Sequence, residues 1–318
     1  MFVSSREIAT ARDRFALIGG VVALITLLLT MLTGLTEGLS KQNTSALDAL
    51  GTEYPEVSFS TEDPDFAESY IKEGDVDADG IPLGAVQTRI GETGTAAAFG
   101  LPAGTQIPGT DVTIPAEGIV ASESVQLNDA PVDTVATIPD EYFSHSLVVW
   151  ASTETWQELT RMPDDVVGTV VLHTEPTADS VSMDEALSGL AAYQSERGSL
   201  LAMQGFLYGI SALVIIAFLS VWTIQREREL SILAALGASA GYLFKDALAQ
   251  AAIILAAGVA LGAVCGAGLG ALVAETVPFH LSAWTILAPA AGIWVLGMLG
   301  ALVATRRVTK ADPLAALN

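Results

Sequence analysis

Residues 222–239, WTIQRERELSILAALGAS, decide how this sequence is organised. They open with two cations and two carboxylates and continue as an apolar run that ends at Gly237. Apolar residues at helical spacing followed by glycine predict a short amphipathic helix that stops at that glycine. Because long apolar segments flank this stretch, we expect it to connect two membrane spans. A helix of this kind usually lies in the membrane interface, and it also offers a stiff surface to a soluble partner.

Four segments are long and apolar enough to cross a bilayer, each near the ~20 residues that a span requires. They are residues 15–36, 200–222, 247–273 and 284–305. The first follows a basic start, as a signal peptide would, but its apolar run exceeds the ~7–15 residues of a signal sequence and no A-x-A site follows it. We therefore interpret it as a retained span.

Nine of the fourteen Lys and Arg residues lie before span one, between spans two and three, and after span four. The positive-inside rule places these segments in the cytoplasm and the long loop outside the plasma membrane. The predicted order is a cytoplasmic segment (1–14), span one (15–36), an extracellular α+β domain with a helical stalk (37–199), span two (200–222), a cytoplasmic coupling helix (223–246), span three (247–273), an extracellular loop (274–283), span four (284–305) and a cytoplasmic tail (306–318).

The long loop is strongly acidic, with 29 carboxylates and five cations between Glu37 and Arg197, a net charge of −24. This charge argues against nucleic acid as a partner, because phosphate contacts need a basic surface. The loop has no cysteine, so its domain must be stabilised by its own core. The single Cys265 lies in span three and is expected to be a small packing residue.

The loop contains short β-rich runs separated by Pro, Gly and Asp, which predict a compact α+β domain. Strand-like pieces occur within 48–72 and at 112–114, 119–120, 132–138, 147–150 and 166–173. Residues 154–159 predict a short helix capped by Ser152 or Thr153. Ser182 with Glu185 forms a capping box, which we expect to open a continuous helix over 182–222.

The chemical motifs in this sequence are incomplete. Asp75, Asp77 and Asp79 open like a calcium loop, but Val86 stands where a bidentate Glu is required. His145 and His173 are isolated from other metal-ligand residues, so surface or hydrogen-bonded core histidines are expected. No catalytic string and no Walker A string occur. We therefore predict a chain that is no enzyme on its own and depends on a separate ATPase, which would bind the ATP and Mg²⁺.

Three stretches resemble permeases of the FtsX/MacB class of ABC transporters, most closely the HrtB/DevC branch that includes hemin-export permeases. They are the start MFVSSREIATARDRFALIGGVVALITLLLTMLTGLTEGL, the segment from Leu187 to Phe244 with its LAALGAS string, and the tail TRRVTKADPLAALN. The resemblance covers roughly 110 residues. It implies a MacB-type fold of four transmembrane helices with an α+β extracellular domain between spans one and two.

The resemblance also implies a mechanism and partners. Two permease chains would form a homodimer in the lipid, with two ABC ATPase subunits bound on the cytoplasmic side and no intrinsic cofactor. ATP-driven motion would reach the spans through the coupling helix and pass outward, a mechanism called mechanotransmission. The residues expected to couple to the ATPase are Arg226, Glu227, Arg228, Glu229, Leu233, Leu236, Gly237 and Ala238.

The favoured cargo is hemin, taken from the membrane and exported as the transported ligand. Haem iron is held by His, Met, Cys or Tyr, and no histidine lies within a span. The candidate cargo residues in spans one and two are Met31, Glu37, Met203, Phe206 and Tyr208, with Met31 and Tyr208 as the iron-ligand candidates. Two alternatives stay open: an exporter of another lipid, peptide or amphiphile, and an FtsX-like mechanotransmitter that activates an external hydrolase.

Small residues predict where helices approach closely. In the family the dimer interface uses spans one and two, where this sequence carries Thr26, Thr30, Thr33, Gly34 and Thr36, and Gly205, Gly209 and Ser211. Span three carries a ridge of glycines spaced by four, at Gly258, Gly262, Gly266 and Gly270. We expect this ridge to pack on span four of the same chain.

Overall fold

The computed structural model describes residues 12–90, 94–125, 131–225, 232–233, 236–274 and 276–305. They divide into two compact units at Gly38 and at Gly198. The segments before and after these positions form a helical unit. Residues Leu39–Gly198 form a second unit, here called the inserted domain.

The elements follow one another in this order. The helices are α1 (Arg12–Glu53), α2 (Thr153–Thr160), α3 (Met183–Ala186), α4 (Ala191–Gln225), α5 (Ala240–Val273) and α6 (Ala283–Thr305). The strands are β1 (Glu56–Phe59), β2 (Ile71–Lys72), β3 (Ile81–Ile90), β4 (Gly94–Leu101), β5 (Ile119–Ser122), β6 (Thr134–Ile138), β7 (Tyr142–Phe143), β8 (Ser146–Ser152), β9 (Val166–Gly168), β10 (Val170–His173) and β11 (Ser180–Ser182).

Four of the helices are long and apolar enough to cross a membrane: α1, α4, α5 and α6. Their apolar sequences are interrupted by few charges, and a helix satisfies its own backbone hydrogen bonds in lipid. The inserted domain begins within the C-terminal part of the first of these helices and ends within the first residues of the second. This arrangement confirms the predicted fold class of four spans with an α+β insertion between spans one and two.

The glycine ridge of α5 packs on α1. A Cβ atom on Gly262 would collide with the carbonyl oxygen of Ala23 and would lie 2.7 Å from the Cβ of Thr26. One turn further along α5, a Cβ on Gly266 would lie 3.0 Å from the Cβ of Thr30. The ridge is therefore intramolecular, as expected, but the expectation that it packs on span four was wrong. The small residues let two backbones approach closely, and α1 supplies the matching surface.

Helix α6 packs against both α5 and α4. A Cβ on Gly297 would lie 2.7 Å from Leu255 of α5, and a Cβ on Gly300 would lie 2.8 Å from Ile216 of α4. These contacts belong to an apolar core that includes Leu29, Leu219 and Ile293, each almost completely buried. Side chains from all four spans are thus buried against one another within the chain. The sequence pattern alone would assign these side chains to surfaces that face lipid.

The segment between α5 and α6 packs on α1 at two glycines. The ring of Phe279 occupies the space where side chains on Gly34 and Gly270 would stand, and the carbonyl of Pro278 lies against Gly38. The backbone N–H of His280 donates to the carbonyl oxygen of Gly34 at 3.0 Å. Gly34 is therefore used inside the subunit, as are the buried Thr26 and Thr30, which the sequence analysis had assigned to a dimer interface.

Nine strands of the described part of the inserted domain form one mixed sheet. Its order is β11-β1-β10-β3-β4-β8-β5-β6, with β7 paired to β8, and β2 and β9 form a separate pair. The long hairpin β3–β4 lies at the centre and is antiparallel from Gly84↔Gly100 to Ile90↔Gly94, while β4 pairs with β8 in parallel. Strands β3 and β4 were not predicted from the sequence. The strand predicted at 112–114 is only an isolated bridge between Gln106 and Thr113.

Trp156 of α2 explains the unusual composition of β3 and β4. Its side chain lies against Gly84 and Gly100, where any Cβ would overlap it, and its Nε1 donates to the carbonyl oxygen of Ala98 at 3.1 Å. Glycine and alanine have low strand propensity. They are needed here because a large aromatic side chain requires close approach to the sheet.

The helix that leads from the inserted domain to span two is interrupted. Ser182 caps α3, because its Oγ accepts from the N–H of Glu185 at 3.2 Å, which is the first of the two hydrogen bonds of the predicted capping box. However, α3 ends at Ala186, a 3-10 turn covers Leu187–Gly189, and Leu190 is extended before α4 begins. The expected continuous helix over 182–222 was therefore wrong. The interruption lets both Leu187 and Leu190 enter the domain core.

Candidate functional site

The candidate cargo residues of α1 lie beside its contact with the Phe279 segment. Met31 and Glu37 are both half-buried. They are six residues apart, which places them about 120° apart around the helix. They therefore flank the buried stripe that contains Gly34 and Gly38, rather than sharing one face.

The candidates on α4 divide between two faces. Met203 and Phe206 are 56% and 74% exposed in the single chain, so they are available to lipid, to cargo or to a second subunit. Tyr208 instead packs inward, with its ring atoms 3.0–3.3 Å from the position of a Cβ on Gly292 of α6. The structure thus does not bring Tyr208 together with Met203 and Phe206.

One polar contact joins the two helices near these residues. The side-chain amide of Gln204 donates to the hydroxyl of Thr36 at 3.1 Å, and this hydroxyl also donates to the carbonyl oxygen of Leu32 at 2.8 Å. Hydrogen bonds of this kind position membrane helices relative to each other. Gln204 was not among the predicted site residues, although a single amide side chain in an apolar span is a recognisable signal.

A broad face of α4 has no neighbour among the residues that the structure describes. Cβ atoms on Gly205 and Gly209 would meet nothing within 4 Å among the described residues. Beside these glycines, Phe206, Ile210 and Leu213 are all more than half exposed. Glycines spaced by four on an open apolar face are typical of a surface that packs against another membrane helix.

The coupling segment is described only in part, since Arg226, Glu227, Arg228 and Glu229 lie outside the described residues. Gly237 has a φ of 98°, and the N–H of Ala238 donates to the carbonyl oxygen of Leu233 at 3.0 Å. This geometry confirms the predicted helix stop at Gly237. Ser239 then caps α5 by accepting from the N–H of Tyr242 at 3.3 Å. Leu236, at the tip of this turn, is 80% exposed.

The inserted domain contains a half-buried carboxylate, that of Glu141. The Nε1 of Trp150 donates to Oε2 of Glu141 at 3.0 Å. Burial raises the pKa of Glu141 to about 7, against the opposing effect of the Trp150 hydrogen bond. The ring of Trp150 packs edge-to-face on Phe99, and Phe99 packs edge-to-face on Phe143. A charge on Glu141 would therefore lie next to the aromatic core of the domain.

The two histidines of the domain make polar contacts with other side chains of the domain. His173 is buried and its Nε2 lies 3.0 Å from the hydroxyl of Ser58, as expected for a core histidine. His145 is partly exposed, with its Nε2 3.1 Å from Oε2 of Glu196. The side-chain amide of Asn43 donates to the same carboxylate oxygen at 2.8 Å. These contacts join both helical ends of the domain, which are parts of α1 and α4, to the turn between β7 and β8.

Part of the second half of the chain matches a known protein family. Residues 202–313 match the FtsX-like permease C-terminal domain. The chain contains an FtsX-like permease domain. The match covers α4 from residue 202 onward, all of α5 and α6, and the turn at Gly237, and the inserted domain lies N-terminal to it. The match confirms the resemblance to the FtsX/MacB class.

Individual relatives extend the similarity beyond the FtsX-like permease domain. A protein of Staphylococcus haemolyticus is 24% identical over 349 aligned positions, covering 100% of this chain and 99% of its own length. Proteins of two Staphylococcus epidermidis strains are each 24% identical over 212 positions, or 64% of this chain. That match spans 61% of the length of these two relatives. All three are named as a hemin transport system permease protein, HrtB.

Proposed function

We propose that this chain is the permease subunit of an ABC-type exporter whose cargo is hemin. The observation that carries the proposal is the similarity to the Staphylococcus haemolyticus HrtB protein along the full length of this chain. The FtsX-like permease domain at residues 202–313 supports the ABC class independently. In this proposal both termini are cytoplasmic and the inserted domain is extracellular, as the distribution of cations indicates.

The proposed assembly is a homodimer formed through the open face of α4. Gly205 and Gly209 leave room for a second helix, and the exposed Phe206 and Ile210 supply apolar surface beside them. Small residues drive such contacts in lipid because they permit close backbone approach. A two-fold axis along this face would bring the exposed Met203 and Phe206 of both chains to one shared space.

The proposed link to the ATPase is the turn around Gly237. Leu236 projects into solvent at its tip, and the Ser239 cap begins α5 directly afterwards. A push on this turn would be transmitted along α5, whose glycine ridge packs on α1. Through this contact the motion of a separate ATPase would reach the helix that carries Met31 and Glu37, which is the proposed mechanotransmission.

The proposed cargo site uses the apolar and sulfur-containing surface of α1 and α4. Met203 and Phe206 would contact the porphyrin, Met31 is a candidate iron ligand, and Glu37 would provide a polar group near one end. Tyr208 stays a ligand candidate only if its ring leaves Gly292, because within the single chain it packs on α6. The cargo would be taken from the membrane and expelled outward.

Hemin titration of the purified dimer tests the cargo. We expect a shifted Soret band and saturation near one hemin for two chains, as a single site on the two-fold axis requires. Met31→Ala should change the spectrum if the thioether ligates the iron, because axial ligand identity sets the electronic character of haem. Tyr208→Phe makes the same test of the phenol. Tyr242→Phe, at an exposed position of α5, is its matched control.

The results of the hemin titration distinguish hemin export from the alternative functions. Loss of affinity without a spectral change makes Met31 or Tyr208 a wall residue and keeps hemin as cargo. If the wild-type dimer shows no saturable hemin binding, the hemin assignment is wrong. The same chain would then be tested as an exporter of another amphiphile, or as a mechanotransmitter for an external hydrolase.

A further inference from the structure

The inserted domain contains a half-open cavity of about 400 Å³. Its walls come from the loop that begins at Asp65, from the middle of β3, from the turn after β7, and from residues at the start of α4. Small-molecule sites in proteins usually have volumes of ~300–1,000 Å³, so this cavity is large enough for a compact organic ligand.

Three of the fourteen residues that line the cavity are aromatic: Phe66, Tyr70 and Phe143. Phe66 and Phe143 are buried and pack edge-to-face, with 5.6 Å between their ring centroids. Tyr70 stands at the opening and is 45% exposed. Its hydroxyl donates to the carbonyl oxygen of Ala67 at 3.2 Å, which holds the ring in place. Aromatic faces attract organic cations, and cages of such rings bind quaternary ammonium groups.

The charge of the lining also favours a cation. Asp65 is the charged residue among the lining side chains, and no Lys or Arg of the described residues lines the cavity. Its Oδ1 accepts from the N–H groups of Ala67 and Glu68, at 2.8 and 3.3 Å. Among the described residues no hydrogen bond is made to its second oxygen, Oδ2. The acidic surroundings, with a net charge of −24 between Glu37 and Arg197, attract cations from a distance.

The geometry points to a binding site in the inserted domain for a small organic cation with an aromatic body, such as an aryl quaternary ammonium compound. The rings of Phe66, Tyr70 and Phe143 would contact the cation, and Asp65 would balance its charge. The site uses none of the residues proposed for hemin, so it is a second binding function of the chain and not part of the cargo route through the spans.

The test uses a pair of soluble probes that share a benzyl group and differ in charge. Benzyltrimethylammonium and phenylmethanesulfonate are titrated into the detergent-purified full-length chain by calorimetry. We expect saturable binding of the cation and at least tenfold weaker binding of the anion, because the lining has a carboxylate and no cation.

Two pairs of variants locate the binding. Ala191→Trp fills the cavity from its rim and should abolish cation binding, while Ala192→Trp changes an exposed neighbour outside the lining and should not. Asp65→Asn keeps the Oδ1 acceptor of the turn but removes the charge, and it should weaken binding about three- to tenfold. Asp63→Asn removes an exposed charge of the same loop and should have a much smaller effect.

Three results would overturn the site: no saturable cation binding below about 10 mM, equal binding of the two probes, or unchanged binding in Ala191→Trp. Hemin titration of Ala191→Trp distinguishes this proposal from the proposed function. Unchanged hemin binding together with loss of the ammonium probe shows that the two sites are separate.

Discussion

At the scale of single residues, Glu141 should make the stability of the inserted domain depend on pH, because the domain core partly encloses its carboxylate. Glu141 receives a hydrogen bond from Trp150 and has a pKa raised to about 7 by burial, compared with an ordinary value of 4.5. The folded domain therefore binds a proton more tightly than the unfolded chain. Its stability should fall as the pH rises from about 4.5 to about 7, because above that range the buried group must carry a charge.

Glu141→Gln should remove this pH dependence and make the domain more stable at about pH 8, by up to ~3 kcal/mol. Glutamine can still accept the Trp150 hydrogen bond but has no charge to bury. Hydrogen exchange of the β8 amides, compared between variant and wild type at about pH 5.5 and about pH 8, measures the effect. Glu158→Gln, at an exposed position of α2, is the control. Equal protection of wild type and Glu141→Gln at the higher pH would contradict the prediction.

At the scale of elements, glycines determine which helices and strands approach each other. On α5 the glycines at 258, 262 and 266 form the surface that packs on α1. A Cβ on Gly268 of the same helix would meet nothing within 4 Å in the described part of the chain. In the inserted domain, Gly84 and Gly100 serve the same purpose for the ring of Trp156. In both places the missing side chain permits a contact with a particular partner, not flexibility of the backbone.

Gly262→Ala should destabilise the helical unit by about 1–3 kcal/mol, because its Cβ would collide with the backbone of Ala23, which cannot move without shifting α1. Gly268→Ala adds the same methyl group on an open face and should be neutral or slightly stabilising, since alanine is the better helix former. Thermal unfolding of the two purified variants in one detergent provides the comparison. Equal unfolding midpoints of the two variants would show that the α1–α5 contact has room for a methyl group at position 262.

At the scale of the whole molecule, the proposal to test is the orientation of the chain in the membrane. The proposed orientation, based on the distribution of Lys and Arg, has residue 239 in the cytoplasm and the inserted domain outside. Both positions offer exposed residues for labelling, at Ser239 and at Asp179. The native Cys265 is exposed in the single chain and must be replaced first.

In a Cys265→Ser background, Asp179→Cys should react with an impermeant maleimide in whole cells, and Ser239→Cys should react only after the membrane is opened. The reason is the excess of Lys and Arg beside the segment that contains Ser239. Labelling after lysis controls for the accessibility of each thiol. Reaction of Ser239→Cys in intact cells would reverse the proposed orientation.

Local signals were sufficient for much of the fold. The apolar lengths of the four spans, the helix stop at Gly237 and the caps at Ser152 and Ser182 all depend on residues within a few positions of each other. Membrane spans are especially readable because a backbone in lipid must satisfy its hydrogen bonds within the segment. The composition of the long loop likewise excluded a basic nucleic-acid surface.

The candidate site was only partly predictable. Met203 and Phe206 do lie on an open face, as a cargo or dimer surface requires, but Tyr208 packs on Gly292 and Thr30 on Gly266. Periodicity assigns a residue to a face of its helix and does not say which helix covers that face. Gln204 and Thr36 are 168 positions apart in the chain, so their contact could not be inferred from spacing.

The sequence by itself determined the membrane class, the four spans, the position of the inserted domain and the local helix caps. Only the tertiary structure decided that the α5 ridge packs on α1, that alanine- and glycine-rich β3 and β4 form the centre of a sheet, and that the helix before span two breaks at Leu190. Each of these depends on a partner distant in the chain, such as Trp156 over Gly84 or the Pro64 carbonyl beside Gly189. Close packing selects such partners by shape, which local propensity does not encode.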